Sequence, residues 1–471
     1  MTQLKKTKIV CTIGPKTESE EALVKLLNAG MNVVRLNFSH GDWQEQGNRV
    51  KNYLKASDKT GIKAAILQDL GGPKIRIGKF KTDTITLEKD SGFTITTDDV
   101  EGDEHRVSVN YPNFAKEIGV GNKVYLHDGL EKLEVVDVKG NDVVCKVLVG
   151  GEIKSLQGVN LPDAELSISS LTEKDKEDVK FGIENKVDFI ALSFVRYPKD
   201  ILELREILNE AKSEAKIIAK IETPQAIKNI DEIIKISDGV MVARGDLAIE
   251  TLLEEVPAFQ KMIIKKCNDA GKPVITATQM LESMLKSPTP TRAEVSDVAN
   301  AIIDGTDALM LSEETAVGDY PIEAVEEMVR IAVNVENEII SCELVQNKPC
   351  LEDSKLSDGS VGASVVKKAL EVEAKHIVCL AKSIDIVHSI SQFRPCQFIF
   401  VFTPNEFVFG QSFLSFGTYP AMIYKFENIE EFKKNVKDFL IEGKFANSGD
   451  KIVIVSDSEF VGGENIMVET V

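Results

Sequence analysis

Apolar and polar residues in the first seventy positions alternate between two periodicities. Short apolar runs such as KIVCTIG are typical of buried strands, and the segments between them repeat their apolar residues at helical spacing. Thr17 and Glu20 have the spacing of a capping box at the start of the first helix, and Gly30 is expected to end it. Two further strands are predicted over residues 33–38 and 64–67.

The pattern changes between about Gly72 and Pro162. β-Branched residues become frequent there, turn residues recur, as in VDVKGNDVV, and helical periodicity nearly vanishes. We interpret this stretch as a small β domain inserted between two strand–helix units.

After Leu171 apolar strands again alternate with amphipathic segments. About eight such strands flank the insertion, which predicts a closed parallel (β/α)8 barrel. From about Asn347 another strand–helix set, including the runs HIVCLA, FIFVFT, AMIYK and KIVIVSD, predicts an open sheet. The predicted fold class is therefore α/β, with the barrel in residues 1–70 and 167–342, a small inserted β-barrel in 71–166, and a C-terminal open α/β domain in 343–471.

Composition and charge narrow the class of protein. Hydrophobic residues make up 43% of the chain, no apolar stretch is long enough to span a membrane, and the first residues lack the apolar core of a signal peptide. The formal charge of −19 has no basic block, which disfavours nucleic-acid binding. No CxxC spacing occurs among the seven cysteines, so we expect a reduced, cytoplasmic protein. These are Cys11, Cys145, Cys267, Cys342, Cys350, Cys379 and Cys396.

Polar residues stand where several predicted barrel strands end, at the rim where such barrels carry their chemistry. Lys220 and Glu222 point the same way from one strand, and Asp246 follows the next strand in the sequence Arg244-Gly245-Asp246. Two carboxylates with a nearby ammonium suit Mg²⁺ or Mn²⁺ and a negatively charged substrate. A rim ion pair and a plain helix-capping aspartate remain the structural alternatives.

Two other strand ends offer groups of the same kind. Arg35, Asn37 and Ser39 share one face of a strand, and a guanidinium is a fork suited to phosphate. Thr276 and Thr278 are predicted to share a face, with hydroxyls suited to orienting a substrate or relaying a proton.

Several long segments resemble the signature segments of pyruvate kinases. They run in the same order as in that family, and the β insertion falls where the family has its mobile B domain. The segments are VVRLNFSHG, LSFVR, KIETPQAI, VMVARGDLAIE, ITATQMLESM and PTPTRAEVSDVANAIIDGTDALMLSEETAVGDYP.

The resemblance implies a divalent-metal-dependent enzyme that moves the phosphoryl group of phosphoenolpyruvate to ADP, giving pyruvate and ATP in glycolysis. By similarity, Glu222 and Asp246 hold the metal, Lys220 stabilises the phosphoryl group during its transfer, and Arg35 binds the same phosphate. The remaining roles, also by similarity, are substrate binding by Arg244, Gly245, Asp246 and Thr278, nucleotide binding by Asn37, His40 and Arg76, and enolate protonation by Thr278 or Ser312.

One departure concerns a monovalent cation. In the family, the equivalents of Asn37, Ser39, Asp69 and the carbonyl of Leu70 resemble a K⁺ site supported by a glutamate, and Lys74 stands in place of that glutamate. A tethered ammonium can supply the positive charge of a bound cation. A K⁺ ion bound beside it would be repelled. We therefore expect activity without K⁺; a Lys74 side chain that merely turns into solvent is the alternative.

Other departures concern the lid and regulation. Gln157 replaces a common lysine, Glu313 a usual glycine and His127 a common acidic residue, with Asp128 beside it. The segment Lys382-Ser383-Ile384-Asp385 replaces a Ser/Thr/Gly-rich phosphate loop, and FVGGEN lacks the Gly-Thr-Thr pattern. Asp385 would repel a phosphate, so we expect no activation by fructose bisphosphate, although another allosteric effector is compatible with the sequence.

Two other interpretations of these residues stay open. An aldolase or mutase on a similar barrel would use Glu222, Asp246 and Mg²⁺ without ADP, and a binding protein without turnover would bind substrate and form no pyruvate. The family resemblance also implies a homotetramer.

Overall fold

The computed structural model describes residues 4–341, 359–423, 426–456 and 466–471, and it begins with the predicted strand–helix alternation. Cys342, Cys350, the segment FVGGEN and the boundary predicted at residue 343 lie outside the described residues. The first elements are β1 (Lys8–Thr12), α1 (Glu20–Ala29), β2 (Val33–Asn37), α2 (Trp43–Thr60) and β3 (Ala65–Asp69).

Helix α1 ends as predicted but begins differently. Gly30 ends it with a left-handed φ of 115°, a conformation that glycine adopts without a steric penalty. Ser19 is the N-cap, and its Oγ accepts a hydrogen bond from Ala22 N–H at 3.2 Å. The predicted capping box is wrong, because the Thr17 hydroxyl instead donates to the carbonyl of Thr315 at 2.8 Å and ties the loop after β1 to α11, which follows the neighbouring strand β16.

The inserted segment forms β-structure around its own apolar core. Six strands pair in the order β11-β7-β8-β9-β5-β6, and β10 pairs with β4. Phe93 and Phe114 are buried at the centre of this core. The elements are β4 (Thr84–Leu87), β5 (Gly92–Thr96), β6 (Arg106–Ser108), α3 (Phe114–Glu117), β7 (Lys123–Leu126), β8 (Glu131–Lys139), β9 (Asp142–Val149), β10 (Gly151–Lys154) and β11 (Val159–Asn160). We call residues 84–160 the lid.

Eight parallel strands close into a barrel in the order β1-β16-β15-β14-β13-β12-β3-β2, which confirms the predicted fold. All eight carboxyl ends meet at one rim, where the lid is inserted between the neighbouring strands β3 and β12. The remaining barrel elements are α4 (Glu173–Glu184), β12 (Phe189–Leu192), α5 (Pro198–Glu210), β13 (Lys216–Ile221), α6 (Pro224–Lys228), α7 (Ile230–Ile236), β14 (Gly239–Ala243), α8 (Arg244–Glu250), α9 (Val256–Asp269), β15 (Val274–Ala277), α10 (Arg292–Asp304), β16 (Ala308–Leu311), α11 (Glu313–Ala316) and α12 (Pro321–Ser341).

Gly72 is the tightest point of the connection from β3 to the lid. Its φ is +66°, and a Cβ there would lie 2.9 Å from the Ser193 Cβ and 3.0 Å from the ring of Phe194. A larger residue would therefore push the start of the lid away from the end of β12.

The C-terminal segment is an open, mostly parallel sheet in the order β19-β18-β17-β20-β21. Its last strand is antiparallel and was not predicted, and the strand predicted at AMIYK lies three residues earlier. None of the helices in the described ranges is long and apolar enough to cross a bilayer. The elements are α13 (Val361–Glu371), β17 (His376–Leu380), α14 (Ile384–Ser391), β18 (Phe398–Thr403), α15 (Glu406–Gln411), β19 (Thr418–Met422), α16 (Ile429–Glu442), β20 (Lys451–Ser456) and β21 (Ile466–Thr470).

Candidate active site

Two cations and a carboxylate form a buried cluster at the barrel rim. Arg35, on β2, lies 2.7 Å from Oδ2 of Asp69, at the end of β3, and donates a second hydrogen bond to the Thr12 hydroxyl at 2.7 Å. Nζ of Lys220, on β13, lies 3.2 Å from the other oxygen of Asp69. Burial alone would raise the pKa of Asp69, but the charges of Lys220 and Arg35 hold it below its usual value. Asp69 is therefore ionised, and it fixes both cations.

Glu222, which follows the last residue of β13, extends this cluster. Its Oε1 lies 2.9 Å from Lys220 Nζ, and its Oε2 accepts the Phe194 N–H at 2.5 Å. Burial would lower the pKa of Lys220, but the charges of Asp69 and Glu222 outweigh it and hold the pKa above the usual range. Lys220 therefore stays an ammonium at neutral pH.

Glu222 retains an oxygen suited to a hard cation. The carboxylate is 1% exposed, and in the described residues its Oε1 contacts only the ammonium of Lys220, with no backbone or hydroxyl donor. Burial raises its pKa to about 7, Lys220 opposes that rise and the negative charge of Asp246 adds to it. A cation between the two carboxylates would relieve this repulsion. In the described part of the chain, no group of three or more histidine, cysteine or acidic side chains is arranged to hold a metal, so the pair would rely on substrate or water oxygens, as Mg²⁺ commonly does.

The start of α8 and the end of β15 hold each other in place. The hydroxyl of Thr278 accepts the Gly245 N–H at 2.8 Å and donates to the carbonyl of Ala277 at 2.6 Å. The Arg244 guanidinium donates to the Thr278 carbonyl at 2.6 Å and forms an ion pair with Asp297 at 2.7 Å. The Arg244 side chain is thus committed to this scaffold and does not serve the site.

Thr276 and Thr278 do not share a strand face. Strand β15 ends at Ala277, and Thr278 has a left-handed φ of +66°, a strained conformation for a β-branched residue. Thr276 is buried and hydrogen-bonded to Thr306 at 3.0 Å. The expectation of a shared face is therefore wrong, because the strand stops one residue too early.

Ser312 follows β16 on the same rim. Its Oγ is buried and makes no hydrogen bond, while its N–H donates to Glu314 at 2.7 Å. A buried hydroxyl with an unused donor is unusual in a folded protein and is available for a substrate or water.

The barrel rim and the lid enclose a cleft of about 570 Å³. Lys74 and Arg76 form its positive side, and His40 lines the cleft beside them. Burial lowers the pKa of His40, and the charges of Lys74, Arg76 and Arg35 lower it further. His40 is therefore neutral at pH 7, and the fixed cations around it create a local positive field in an acidic protein. Asp246 and the lid residue Asp128 also line the cleft.

Comparison with known proteins decides the family. The family model "Pyruvate kinase, barrel domain" matches residues 4–325, and "Pyruvate kinase, alpha/beta domain" matches residues 359–468. The chain belongs to the pyruvate kinase family. Pyruvate kinases of Staphylococcus aureus (strain MRSA252) and Geobacillus stearothermophilus are each 44% identical over 96% of this chain, which covers 78% and 77% of those proteins.

The fold supports the same assignment. The crystal structure of a pyruvate kinase from Cryptosporidium parvum matches with a TM-score of 0.91 and 34% identity, over 99% of this chain and 96% of that one. The protein is thus a phosphotransferase of the pyruvate kinase family, with the family's barrel and C-terminal domain.

The residues predicted for a monovalent-cation site lie at the edge of the buried cluster. Asn37 pairs with Asp69 across β2 and β3, and its Oδ1 accepts the Ser39 N–H at 3.0 Å. The carbonyl of Leu70 accepts the Ser193 hydroxyl at 2.7 Å. Asn37 does not line the cleft, unlike the other two nucleotide candidates, His40 and Arg76.

Four supporting residues were not predicted from the sequence. Ser193 accepts from Lys220 Nζ at 2.7 Å, and Thr12, the Phe194 backbone and Asp297 hold Arg35, Glu222 and Arg244. All four lie within segments already singled out, namely KIVCTIG, LSFVR and PTPTRAEVSD, which marked the regions but not the contacts.

Proposed function

We propose that this pyruvate kinase transfers the phosphoryl group of phosphoenolpyruvate to ADP at the Lys220 cluster and forms pyruvate and ATP. The observation that carries the proposal is the arrangement of Lys220 and Arg35 around Asp69. Both cations are nearly buried and held by carboxylates, so they can meet negative charge on a phosphoryl group without reorganising. Phosphoryl transfer needs this kind of fixed positive field, because charge spreads over the equatorial oxygens.

Glu222 and Asp246 are the residues that would hold a divalent cation, Mg²⁺ or Mn²⁺. The buried carboxylate of Glu222, whose Oε1 contacts only Lys220 in the described residues, and the mutual repulsion of the two carboxylates support this assignment. When bound, the cation supplies charge neutralisation for the phosphate and carboxylate oxygens of the substrate. The backbone of the turn from Arg244 to Asp246, with Thr278, would bind the substrate carboxylate.

The enolate left after transfer needs a proton on its methylene carbon. Thr278 and Ser312 are the two side chains proposed to deliver it, directly or through water. The Thr278 hydroxyl already donates to Ala277, whereas the Ser312 hydroxyl has no partner, which favours Ser312.

The nucleotide is proposed to occupy the cleft between the barrel and the lid. His40 and Arg76 face it, and Asn37 supports the turn that carries His40. The inserted segment, residues 71–166, would close over the bound nucleotide as a lid domain.

Lys74 supports the proposal that K⁺ is not required. The Lys74 side chain lines the cleft and remains exposed to solvent; desolvation by the surrounding residues lowers its pKa, Arg76 and Lys220 lower it further, and Asp246 and Asp69 oppose this. The ammonium therefore lies within electrostatic reach of Asp69, where a bound K⁺ would otherwise contribute positive charge near Asn37, Ser39 and the Leu70 carbonyl.

The C-terminal domain, residues 343–471, is proposed to act in assembly and regulation without fructose bisphosphate. Ser383 caps α14 and donates its hydroxyl to Asp385 at 2.8 Å, so an acidic residue already occupies the position at which a phosphate would bind. A cytoplasmic homotetramer remains the proposed assembly.

The proposed reaction is tested by a coupled pyruvate assay in which each component is omitted in turn. Full activity should require phosphoenolpyruvate, ADP and Mg²⁺ or Mn²⁺, and it should persist in buffer free of Na⁺ and K⁺. Pyruvate formed without ADP would indicate an aldolase- or mutase-type enzyme. Substrate binding detected by thermal shift, without any pyruvate, would indicate a binding protein.

A further inference from the structure

A single hydrogen bond joins the strands of the lid directly to the barrel. Asn160, on β11, donates from Nδ2 to Oε1 of Glu250, the last residue of α8, at 2.8 Å. In the described residues, every other hydrogen bond between the two parts involves the connecting segments on either side of residues 84–160, and no ion pair crosses. The hydrogen bond between Asn160 and Glu250 is therefore a specific link between the lid and the barrel.

Burial of the Glu250 carboxylate at this position costs free energy. Glu250 is 9% exposed, and a buried carboxylate loses its hydration unless hydrogen bonds replace it. Asn160 supplies one such hydrogen bond, beside the backbone of Leu161, and β11 is tied to the six-stranded sheet of the lid by its pairing with β7. Opening the lid would break the bond and leave both groups to water.

The turn at residues 127–129 adds an apolar contact beside this bond. A Cβ on Gly129 would lie 3.4 Å from Ile249, so the turn rests directly on α8. The same turn presents Asp128 to the cleft, and Asp128 has a left-handed φ of 54°. Both contacts between the lid and the barrel thus fall on the last two residues of one short helix.

We infer that Glu250 is a positioning residue that latches the lid over the active site through Asn160. Helix α8 begins with Arg244, Gly245 and Asp246 and ends at Glu250, one turn beyond Asp246, which is about 6 Å along the axis. The position of the lid is thereby coupled to the residues that would hold the metal and the substrate carboxylate. This inference rests on the proposed function only for its kinetic consequence.

A reciprocal exchange of the two side chains tests the latch. Asn160→Asp places two carboxylates against each other, whereas the double variant Asn160→Asp with Glu250→Gln restores one hydrogen bond with the donor and acceptor reversed. Glu250→Gln alone keeps an acceptor oxygen for Asn160. The matched control is Asn141→Asp, which makes the same change at an exposed Asn141–Asp98 bond of 2.7 Å inside the lid.

In steady-state kinetics, Asn160→Asp should raise the KM for ADP about tenfold or more, with the KM for phosphoenolpyruvate within about twofold. The double variant should return to a KM for ADP within about threefold of the wild-type value. The KM for ADP of Glu250→Gln and of Asn141→Asp should also lie within about threefold of wild type. A merely structural role would move both KM values, and the double variant would not recover. That result, or an unchanged KM for ADP in Asn160→Asp, overturns the latch.

Hydrogen–deuterium exchange without substrates separates this inference from the proposed reaction. Asn160→Asp should speed exchange at residues 126–130 and 158–161 several-fold, and the double variant should reverse it. Exchange that is equal in all variants overturns the latch even in an active enzyme. A wild-type protein that forms no pyruvate overturns the proposed function, while the exchange pattern still decides the latch.

Discussion

The ammonium of Lys220 lies 2.9 Å from Oε1 of Glu222. Glu222 follows directly after β13, so this strand brings a fixed cation and a carboxylate suited to a metal to the same point of the rim. Arg35 and Asp69, from β2 and β3, complete the cluster. The chemistry proposed for this chain is thus concentrated at the carboxyl ends of three barrel strands.

Removal of the Lys220 charge should abolish most of the activity. Lys220→Met leaves Glu222 without its counter-ion and removes positive charge from the phosphoryl position, so we expect kcat to fall at least about 100-fold. Lys286→Met, which removes an exposed lysine paired with Asp319, is the control and should keep wild-type activity. A kcat within tenfold of wild type in Lys220→Met would contradict the assigned role.

Exchange of Lys74 for an acidic residue should create a requirement for K⁺. Lys74→Glu removes the tethered ammonium near Asp69 and adds a negative charge that a bound K⁺ can neutralise. We expect wild-type activity to change less than twofold on adding K⁺ and the variant to be stimulated at least about tenfold. Lys79→Glu makes the same charge change at an exposed position of the segment that leads into the lid, and it should show no stimulation. Strong stimulation of the wild type would refute K⁺ independence.

Fructose bisphosphate should not change the response to phosphoenolpyruvate. The Asp385 carboxylate lies at the start of α14, which Ser383 caps, and its negative charge would repel a phosphate there. The measurement is the half-saturation concentration of phosphoenolpyruvate with and without fructose bisphosphate, with other sugar phosphates run alongside. A large fall caused by fructose bisphosphate would show that the regulatory prediction is wrong.

Glu250 should make stability depend on pH. Burial raises its pKa to about 7 from 4.5; the Asn160 hydrogen bond opposes this and the charge of Asp246 adds to it. The folded state therefore binds this proton more tightly than the unfolded state, and the contribution of Glu250 to stability falls as pH rises from about 4.5 to 7.

Glu250→Gln removes this dependence. Relative to wild type, the variant should gain stability between pH 5 and pH 8, by up to about 3 kcal/mol, in denaturant unfolding of metal-free protein with chelator present. Glu254→Gln, at an exposed carboxylate, is the control and should follow the wild type. A constant difference between Glu250→Gln and wild type across this range would rule out the titration of Glu250.

Arg394 should hold the barrel and the C-terminal domain together. Its guanidinium pairs with Asp307 at 2.6 Å and donates to the carbonyl of Gly305 at 2.7 Å. Arg394→Ala leaves a nearly buried Asp307 without its counter-ion and should destabilise the protein by about 3 kcal/mol. Arg330→Ala, at an exposed position on α12, should have little effect. Calorimetry that shows equal unfolding temperatures for both variants would contradict this role.

The barrel was predictable because its strands carry continuous apolar runs and its helices a regular period. Lys220, Glu222 and Asp246 were singled out because polar residues at buried strand ends have no packing role. The spacing of Lys220 and Glu222 also predicted that these two point the same way, since side chains alternate along a strand.

The helix cap of α1 and the turn at Thr278 depend on tertiary contacts, which a local sequence pattern does not reveal. The hydroxyls of Thr17 and Ser19 both suit a cap, and only the contact of Thr17 with Thr315 decides between them. The left-handed turn at Thr278 exists because α8 and β15 bond to each other across the rim. Ser193 and Glu250 likewise act through residues distant in sequence.

The most direct measurement of the central claim is ³¹P NMR of the purified protein with phosphoenolpyruvate, ADP and Mg²⁺. The account predicts that the phosphoenolpyruvate signal is replaced, one for one, by the γ-phosphate signal of ATP, and that Lys220→Met stops this conversion. Loss of phosphoenolpyruvate to inorganic phosphate, or its conversion without ADP, would contradict phosphoryl transfer at the Lys220 cluster.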